Sequence, residues 1–328
     1  MRLSRRFVLA GGFAGAACVL PFIAQGASLN FTSPAEKLML STIRIVGIDK
    51  RGKAKKFGSG FFYRLRADDG AAHDIIVTNK HVVDDMVGVD LAFHPKSADG
   101  DRARVLHVPG RVGEGWIGHP NDDVDLCALP LSTALGDIKD SVTYEAIEET
   151  MLPTPAQLAA FDAIEEVLMI GYPNGLWDRR NNLPLLRRGA TASHPATPYF
   201  VDEMKDVPLT VIDIAAFPGS SGSPVFIFNP NGYTDKTGVR FEQARIVLIG
   251  VLAAGPTMES DGEILVDDAP TQTNVAPRIN APINLGYIVN ASQLAELKAE
   301  TLRTLTPPAA PSLSSSSLAP PPALTTNP

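Results

Sequence analysis

Cysteine is nearly absent from this sequence: only Cys18 and Cys127 occur in 328 residues. The first sits in a segment read below as a removable leader, so the mature chain keeps one thiol and no internal disulfide. Its stability has to come from packing. Cys127, inside the apolar run VDLCALPL, is expected to be a small buried hydrophobe rather than a reactive group. Excess positive charge is also missing. A net charge of −7 argues against a general affinity for nucleic acid or an anionic membrane, which would need a basic surface. His73, His94, His107, His119 and His194 stand at no metal-ligand spacing with Cys or acidic residues, so neither a catalytic nor a structural metal is expected. No phosphate-binding GxxxxGKS/T or GxGxxG follows a strand, and no nucleotide cofactor is indicated. What the chain does have is 45% hydrophobic and 20% charged content, enough to bury a large core.

Both ends differ from the body. MRLSRRFVLAGGFAGAACVLPFIAQGAS has a basic start (Arg2, Arg5, Arg6), an apolar stretch too short and glycine-broken for a good membrane span, and a small-residue exit around Ala24 to Ala27. Residues 1–27 therefore read as an export signal, which puts the mature chain in the periplasm or outside the cell without stable membrane association. SRRFVL, Ser4 to Leu9, resembles a twin-arginine signal and favours that route over general secretion. An uncleaved signal anchor and a lipoprotein cleaved before Cys18 are the rival readings. Residues 306–328 are rich in Pro, Ser and Ala, without charge or apolar periodicity, the composition of a disordered tail. Before them, Leu294, Leu297 and Leu302 fall near helical spacing and predict a helix over 291–305.

Nearly everything between reads as strand. IRIVGI, GFFYRL, DIIVTN, DLAFH, DLCALPL, EVLMIGYP, LTVIDIAA, SPVFIF, ARIVLIGVLAA and NLGYIV are short β-branched or aromatic runs separated by Gly, Pro, Asn and Asp. Such spacing predicts an all-β body of barrels or sandwiches. An acidic, helix-compatible break near Leu131 to Ala160 divides it into halves, 33–140 and 141–290. KRGKAKKF, Lys50 to Phe57, falls between two strand signals and reads as a solvated hairpin turn, not a nucleic-acid contact.

Three segments carry chemistry. DIIVTNKHVV places His81 directly after a strand, VDLCALPL opens with Asp125, and FPGSSGSPVF packs three serines between glycines and prolines. A serine hydroxyl is a poor nucleophile at neutral pH. It needs a base to take its proton, and an imidazole base needs a carboxylate to fix its tautomer and stabilise its charge. Histidine, aspartate and serine occur here in that chain order. Each also has a plain reading, as a solvated strand end, a turn residue and a polar loop.

Together these segments resemble a trypsin-like (chymotrypsin-fold) serine protease of the bacterial, Deg-like kind. The resemblance rests on GSGFFY (Gly58 to Tyr63), TNKHVV (Thr78 to Val83), DLCAL (Asp125 to Leu129), GYP (Gly171 to Pro173) and DIAAFPGSSGSPVF (Asp213 to Phe226), and spans about Thr42 to Ile288. It implies two six-stranded antiparallel β-barrels with a C-terminal helix, and a peptide-cleaving triad of His81, Asp125 and Ser221. Ser220 becomes a variable position and Ser223 a small replacement for a glycine. The N–H groups of Gly219 and Ser221 become the oxyanion donors. Asp125 is preferred over Asp123, two residues earlier, because the family places its aspartate directly before a run such as LCAL; Asp122 reads as a turn residue. Ala215 becomes the base of the primary pocket, Ala253 and Gly255 its walls, and Ala254 part of the strand that pairs with substrate, implying small apolar side chains before the cut. The acidic stretch Met258 to Asp268 offers the opposite preference, for basic side chains. Arg44-Ile45-Val46-Gly47 mimics the activation site of digestive trypsins, but Ser220 occupies the position of the required carboxylate, so activation of that type is not expected. The substrates implied are polypeptides, with no cofactor and no PDZ module. A catalytically silent scaffold that binds peptides is the alternative, and an esterase on the same fold a weaker one.

Overall fold

Alternation along single strands decides how this chain is built. The computed structural model describes residues 31–96, 103–261 and 278–305. The expected leader (1–27) and tail (306–328) lie outside the described residues, as does most of the acidic stretch Met258–Asp268. After a short helix α1 (Pro34–Met39), capped by Ser33 and Glu36, the chain forms β1 (Thr42–Ile48), β2 (Ala54–Arg66), β3 (Ala72–Thr78), helix α2 (Lys80–Val83), β4 (Gly88–Pro95), β5 (Arg104–Pro109), β6 (Ile117–Gly118) and β7 (Cys127–Pro130). Helix α3 (Leu131–Ala134), β8 (Val142–Thr143), β9 (Ile147–Glu148) and helix α4 (Pro155–Ala160) follow. The second half holds β10 (Glu166–Gly171), β11 (Leu185–Ala190), β12 (Leu209–Ile212), β13 (Pro224–Asn229), β14 (Gly232–Asp235), β15 (Gly238–Phe241), β16 (Arg245–Ala254), β17 (Thr257–Asp261), β18 (Arg278–Pro282) and β19 (Gly286–Asn290), and helix α5 (Gln293–Leu305) ends it.

The architecture is the expected one, two antiparallel barrels and a C-terminal helix. The first sheet runs β5-β4-β1-β2-β3-β7, and the two-residue strands β6, β8 and β9 attach to β7, β4 and β2. These last two pairings carry the first sheet past the expected boundary at 140, because residues 142–148 return to it instead of opening the second half. At the sheet ends, Trp116 Nε1 donates to Pro109 O at 2.9 Å. The second sheet runs β11-β10-β13-β16-β19-β12 and is closed by a bridge from Thr191 to Ile212.

Three apolar clusters follow from the period of two. In β2, Phe62 points into the first barrel, while Phe61, Tyr63 and Leu65 point to a shared interface between the barrels. In β10, Val167 and Met169 fill the second barrel and Leu168 and Ile170 face the interface. Burying each such side chain stabilises the fold by about 1.5–3 kcal/mol relative to exposure. In β16 the parity reverses: Val247 and Ile249 face the barrel, yet Val251 and Ala253 face the interface. A bulge opposite Val225 and Phe226 causes the switch, turning the end of β16 towards the loop of Ser221. Helix α5 lies over the interface with Leu294, Leu297 and Thr301 buried, one stripe at helical spacing.

Candidate active site

His81 is delivered by the one-turn helix α2, which starts as β3 ends. Two contacts hold that helix from opposite sides. Lys80 Nζ donates to the carbonyls of His119 and Asn121, both at 3.2 Å, tying α2 to the loop that precedes Asp125. Lys56 Nζ donates to the carbonyls of His81 and Asp84 at 3.0 and 3.2 Å. Asn79 Nδ2 donates to Asp125 O at 2.7 Å. The aspartate is thereby fixed at its backbone before its side chain acts.

Both carboxylate oxygens of Asp125 engage His81. The His81 backbone N–H donates to Oδ1 at 3.0 Å, and Nδ1 meets Oδ2 at 2.5 Å. An ionised carboxylate only accepts, which assigns the ring proton to Nδ1 and leaves Nε2 with a lone pair. Of the neighbouring carboxylates, Asp123 lies 3.9 Å from Lys205 Nζ and Asp122 extends fully into solvent.

The structure separates the three serines by burial. Ser220 and Ser223 are 0% exposed and their hydroxyls have no hydrogen-bond partner among the described residues. Ser221 alone is partly exposed, with its Oγ 3.4 Å from Ala253 O. Two left-handed glycines shape its loop, Gly219 at φ 87° and Gly222 at φ 84°, a conformation that a side chain disfavours. A Cβ on Gly219 would also stand 2.7 Å from Tyr172 O. Neither the Gly219 nor the Ser221 N–H meets an acceptor among the described residues. The peptide before Gly219 is held by Asn174 N–H, which donates to Pro218 O at 2.5 Å.

Ser59 of β2, a residue to which the sequence reading gave no role, holds this loop from the other barrel. Its N–H donates to Ser221 O at 2.8 Å, and its Oγ donates to Gly219 O and accepts from Tyr172 N–H, each at 2.9 Å. Its carbonyl accepts from Thr78 Oγ1 at 2.7 Å. A serine between two glycines in a strand carries no signal for that role, since its partners lie 113 and 160 residues away.

Between the barrels lies an open cleft of about 430 Å³, lined by Lys55, Lys56, Phe57, His81, Gly219 and Ser221 among others. The expected turn over Lys50–Phe57 is therefore corrected: a hydrogen bond from Gly52 N to Asp49 O closes the turn early, and Lys55, Lys56 and Phe57 belong to β2. None of the residues expected at the primary pocket lines this cleft. Ala215 and Ala253 are buried, Ala254 is exposed and Gly255 half-buried, with Gly255 packed against Ala216. Arg187 donates to Ala215 O at 2.6 Å and stacks 5.2 Å from the Phe217 ring centroid. Burial pulls its guanidinium below its ordinary value. Chemically, the cleft offers a hydroxyl, an imidazole whose tautomer is set by a carboxylate, and two free N–H donors.

Comparison with known proteins gives two results. Residues 58–232 match the family described as trypsin-like peptidase domain. Among solved structures, the HtrA-type protease AlgW with a tripeptide is similar at 14% identity and a TM-score of 0.46, covering 82% of this chain and 62% of that one. A variant of AlgW with a tripeptide gives 13% identity and a TM-score of 0.47, covering 84% of this chain and 64% of that one. AlgW with a decapeptide gives 13% and 0.46, covering 84% and 68%. The chain thus spans less than two thirds of the first two. No curated protein matches the sequence.

Proposed function

The chain belongs to the trypsin-like peptidase domain family, and from that premise we propose that it is an exported serine endopeptidase acting through Ser221, His81 and Asp125. One observation carries the reading: Asp125 grips His81 with both carboxylate oxygens, at 3.0 and 2.5 Å, on the cleft that Ser221 shares. Ser221 Oγ attacks the peptide carbonyl carbon while His81 Nε2 takes its proton. The carbonyl oxygen becomes an anion held by the N–H groups of Gly219 and Ser221. His81 then protonates the leaving amine as the C–N bond breaks, and an acyl-enzyme remains. Water, deprotonated by the same imidazole, attacks the ester, and the proton returns to Ser221. Asp125 stays ionised throughout and stabilises the imidazolium. The residue before the cut lies near Ala215, Ala253, Ala254 and Gly255, which favours small apolar side chains.

The leader at residues 1–27 supports export to the periplasm or beyond, by the twin-arginine route. Among the described residues, no helix is long and apolar enough to cross a membrane. A second reading, a scaffold that binds peptides without cutting them, draws support from the Ser221 hydroxyl, which is turned to Ala253 O. Labelling of the purified protein with a fluorophosphonate probe separates the two. The peptidase reading expects labelling that is lost in Ser221→Ala and kept in Ser223→Ala. Absence of labelling in a folded wild type, with peptide binding retained, supports the scaffold instead.

A further inference from the structure

The cleft has a charged flank that peptide hydrolysis itself does not require. Lys50, Arg51, Lys53, Lys55 and Lys56 put five cations into seven residues of a chain whose net charge is −7. The adjacent carboxylate is one negative charge beside five positive ones and is turned to the backbone: Asp49 accepts from the N–H groups of Arg51 and Lys53, at 2.8 and 2.9 Å, and so shapes the turn. Lys56 Nζ is held by two carbonyls, dipoles that fix its position and leave its charge intact. Lys55 is exposed and has no partner among the described residues. Beside them Phe57 is 43% exposed, and its ring packs over Gly175, on which a Cβ would come within 3.0 Å. Lysine ammonium groups beside an aromatic face form a site for a carboxylate on a short apolar stem.

The position of this flank says which residue it meets. It is lined by Lys55, Lys56, Phe57, His81, Gly219 and Ser221, and neither Ala215 nor Ala253 lines it. If the residue before the cut lies on the Ala215 side, the chain leaving with the amine runs over Lys55 and Lys56. An extended peptide advances roughly 3.3 Å per residue, which brings the first two residues after the cut into range. We propose that this flank is a specificity site for an acidic side chain, Asp or Glu, at one of the first two residues after the scissile bond. The inference rests on the peptidase reading for its catalytic form. The basic hairpin also raises the local concentration of acidic peptides, an effect that salt weakens.

The test uses quenched fluorescent peptides with amidated C-termini, varied only after the cut, with wild type, Lys55→Gln and Lys55→Glu. Glu is expected to exceed Gln in kcat/KM by about three- to tenfold, the range between an exposed ion pair and a charge-assisted hydrogen bond. That ratio should shrink as salt rises, fall in Lys55→Gln, and fall further in Lys55→Glu. Equal rates for Glu and Gln, or a preference unchanged in Lys55→Glu, overturn the proposal. So does an effect seen only when the terminal amide is replaced by a free carboxylate. Binding of the same peptides to Ser221→Ala, read by fluorescence anisotropy, separates the two ideas. A wild type that neither labels with fluorophosphonate nor cleaves would sink the peptidase reading. An acid-over-amide preference in binding would still uphold the charged flank, and its absence would overturn it.

Discussion

Replacing Ser59 with alanine removes one hydroxyl and leaves two buried backbone groups without partners. Tyr172 N–H loses its acceptor and Gly219 O loses its donor, both 2.9 Å away, while the backbone bonds of residue 59 to Ser221 and Thr78 persist. Ser59 is 0% exposed, so water cannot easily take the vacated place. Each orphaned buried group costs about 1–3 kcal/mol; with some relaxation, Ser59→Ala should lose about 2–4 kcal/mol of unfolding free energy in urea titration. The kinetic consequence is separate. Gly219 O and Pro218 O are the two handles that orient the Gly219 N–H, and the mutation frees the first. Complete loss of an oxyanion donor costs about a hundredfold or more in kcat, so loosening one should cost roughly tenfold, with KM little changed. Ser41→Ala is the matched control. It removes a buried bond to Leu38 O, 2.8 Å away, but that carbonyl also accepts from Ser41 N–H. It should lose about 1 kcal/mol and keep the full rate of fluorophosphonate labelling. If Ser59→Ala labelled as fast as wild type and unfolded at the same urea concentration, the assignment of Ser59 as a positioning residue would be refuted.

Gly222→Ala puts a Cβ into overlap with Ser59 O at a φ of 84°, so it should cost more than about 3 kcal/mol and abolish labelling, measured by urea unfolding beside the probe assay. Arg245 and Glu165 form a buried ion pair, 5% and 3% exposed; Arg245→Met strands the carboxylate and should cost about 3–5 kcal/mol, which Glu165→Gln in the same chain should partly restore. Burial lowers the pKa of His94 from its ordinary 6.5 to about 4. The unfolded chain therefore takes up the proton first. Stability from this group is whole above about pH 6.5, is lost as pH falls towards 4, and amounts to about 3 kcal/mol. Urea unfolding across that range should show the slope in wild type and lack this share of it in His94→Leu.

How much of this was legible in the sequence depended on how local each signal is. The strands were legible because β-branched runs between turn residues report local burial. His81, Asp125 and Ser221 were legible as candidates because each sits in a short segment with a recognisable pattern. Among the serines of GSSGSP, the resemblance singled out Ser221, and burial of Ser220 and Ser223 independently leaves Ser221 as the one that reaches the cleft. Lys55 and Lys56 were misread because charge density suggests a turn, whereas the turn length is set by Asp49, whose carboxylate gathers two N–H groups and starts the strand at Ala54. The break at Leu131–Ala160 was read as helix-compatible, and α3 and α4 lie there. The two-residue strands β8 and β9 between them are too short to leave a pattern. The reversal of side-chain parity in β16 was invisible as well, since a bulge leaves an apolar run looking continuous.

The placement of Ser59 makes the loop of Ser221 depend on the opposite barrel. His81 and Asp125 come from the first sheet, so they move with it; Ser221 comes from the second, and only contacts across the interface can set its distance from them. Apolar packing of Phe61, Tyr63 and Leu65 against Leu168, Ile170 and Phe226 brings the sheets together but is non-directional, and it cannot choose one register of the loop over another. Hydrogen bonds can, because a donor and an acceptor in a dry site tolerate little misalignment. The N–H of Ser59 on Ser221 O and its hydroxyl on Gly219 O and Tyr172 N–H supply that choice. Gly222 then admits Ser59 O to a distance no side chain would allow. Attraction between the barrels and alignment of the site are thus separate tasks, given to different residues of the same strand. Phe61, Tyr63 and Leu65 perform the first, and Ser59 performs the second.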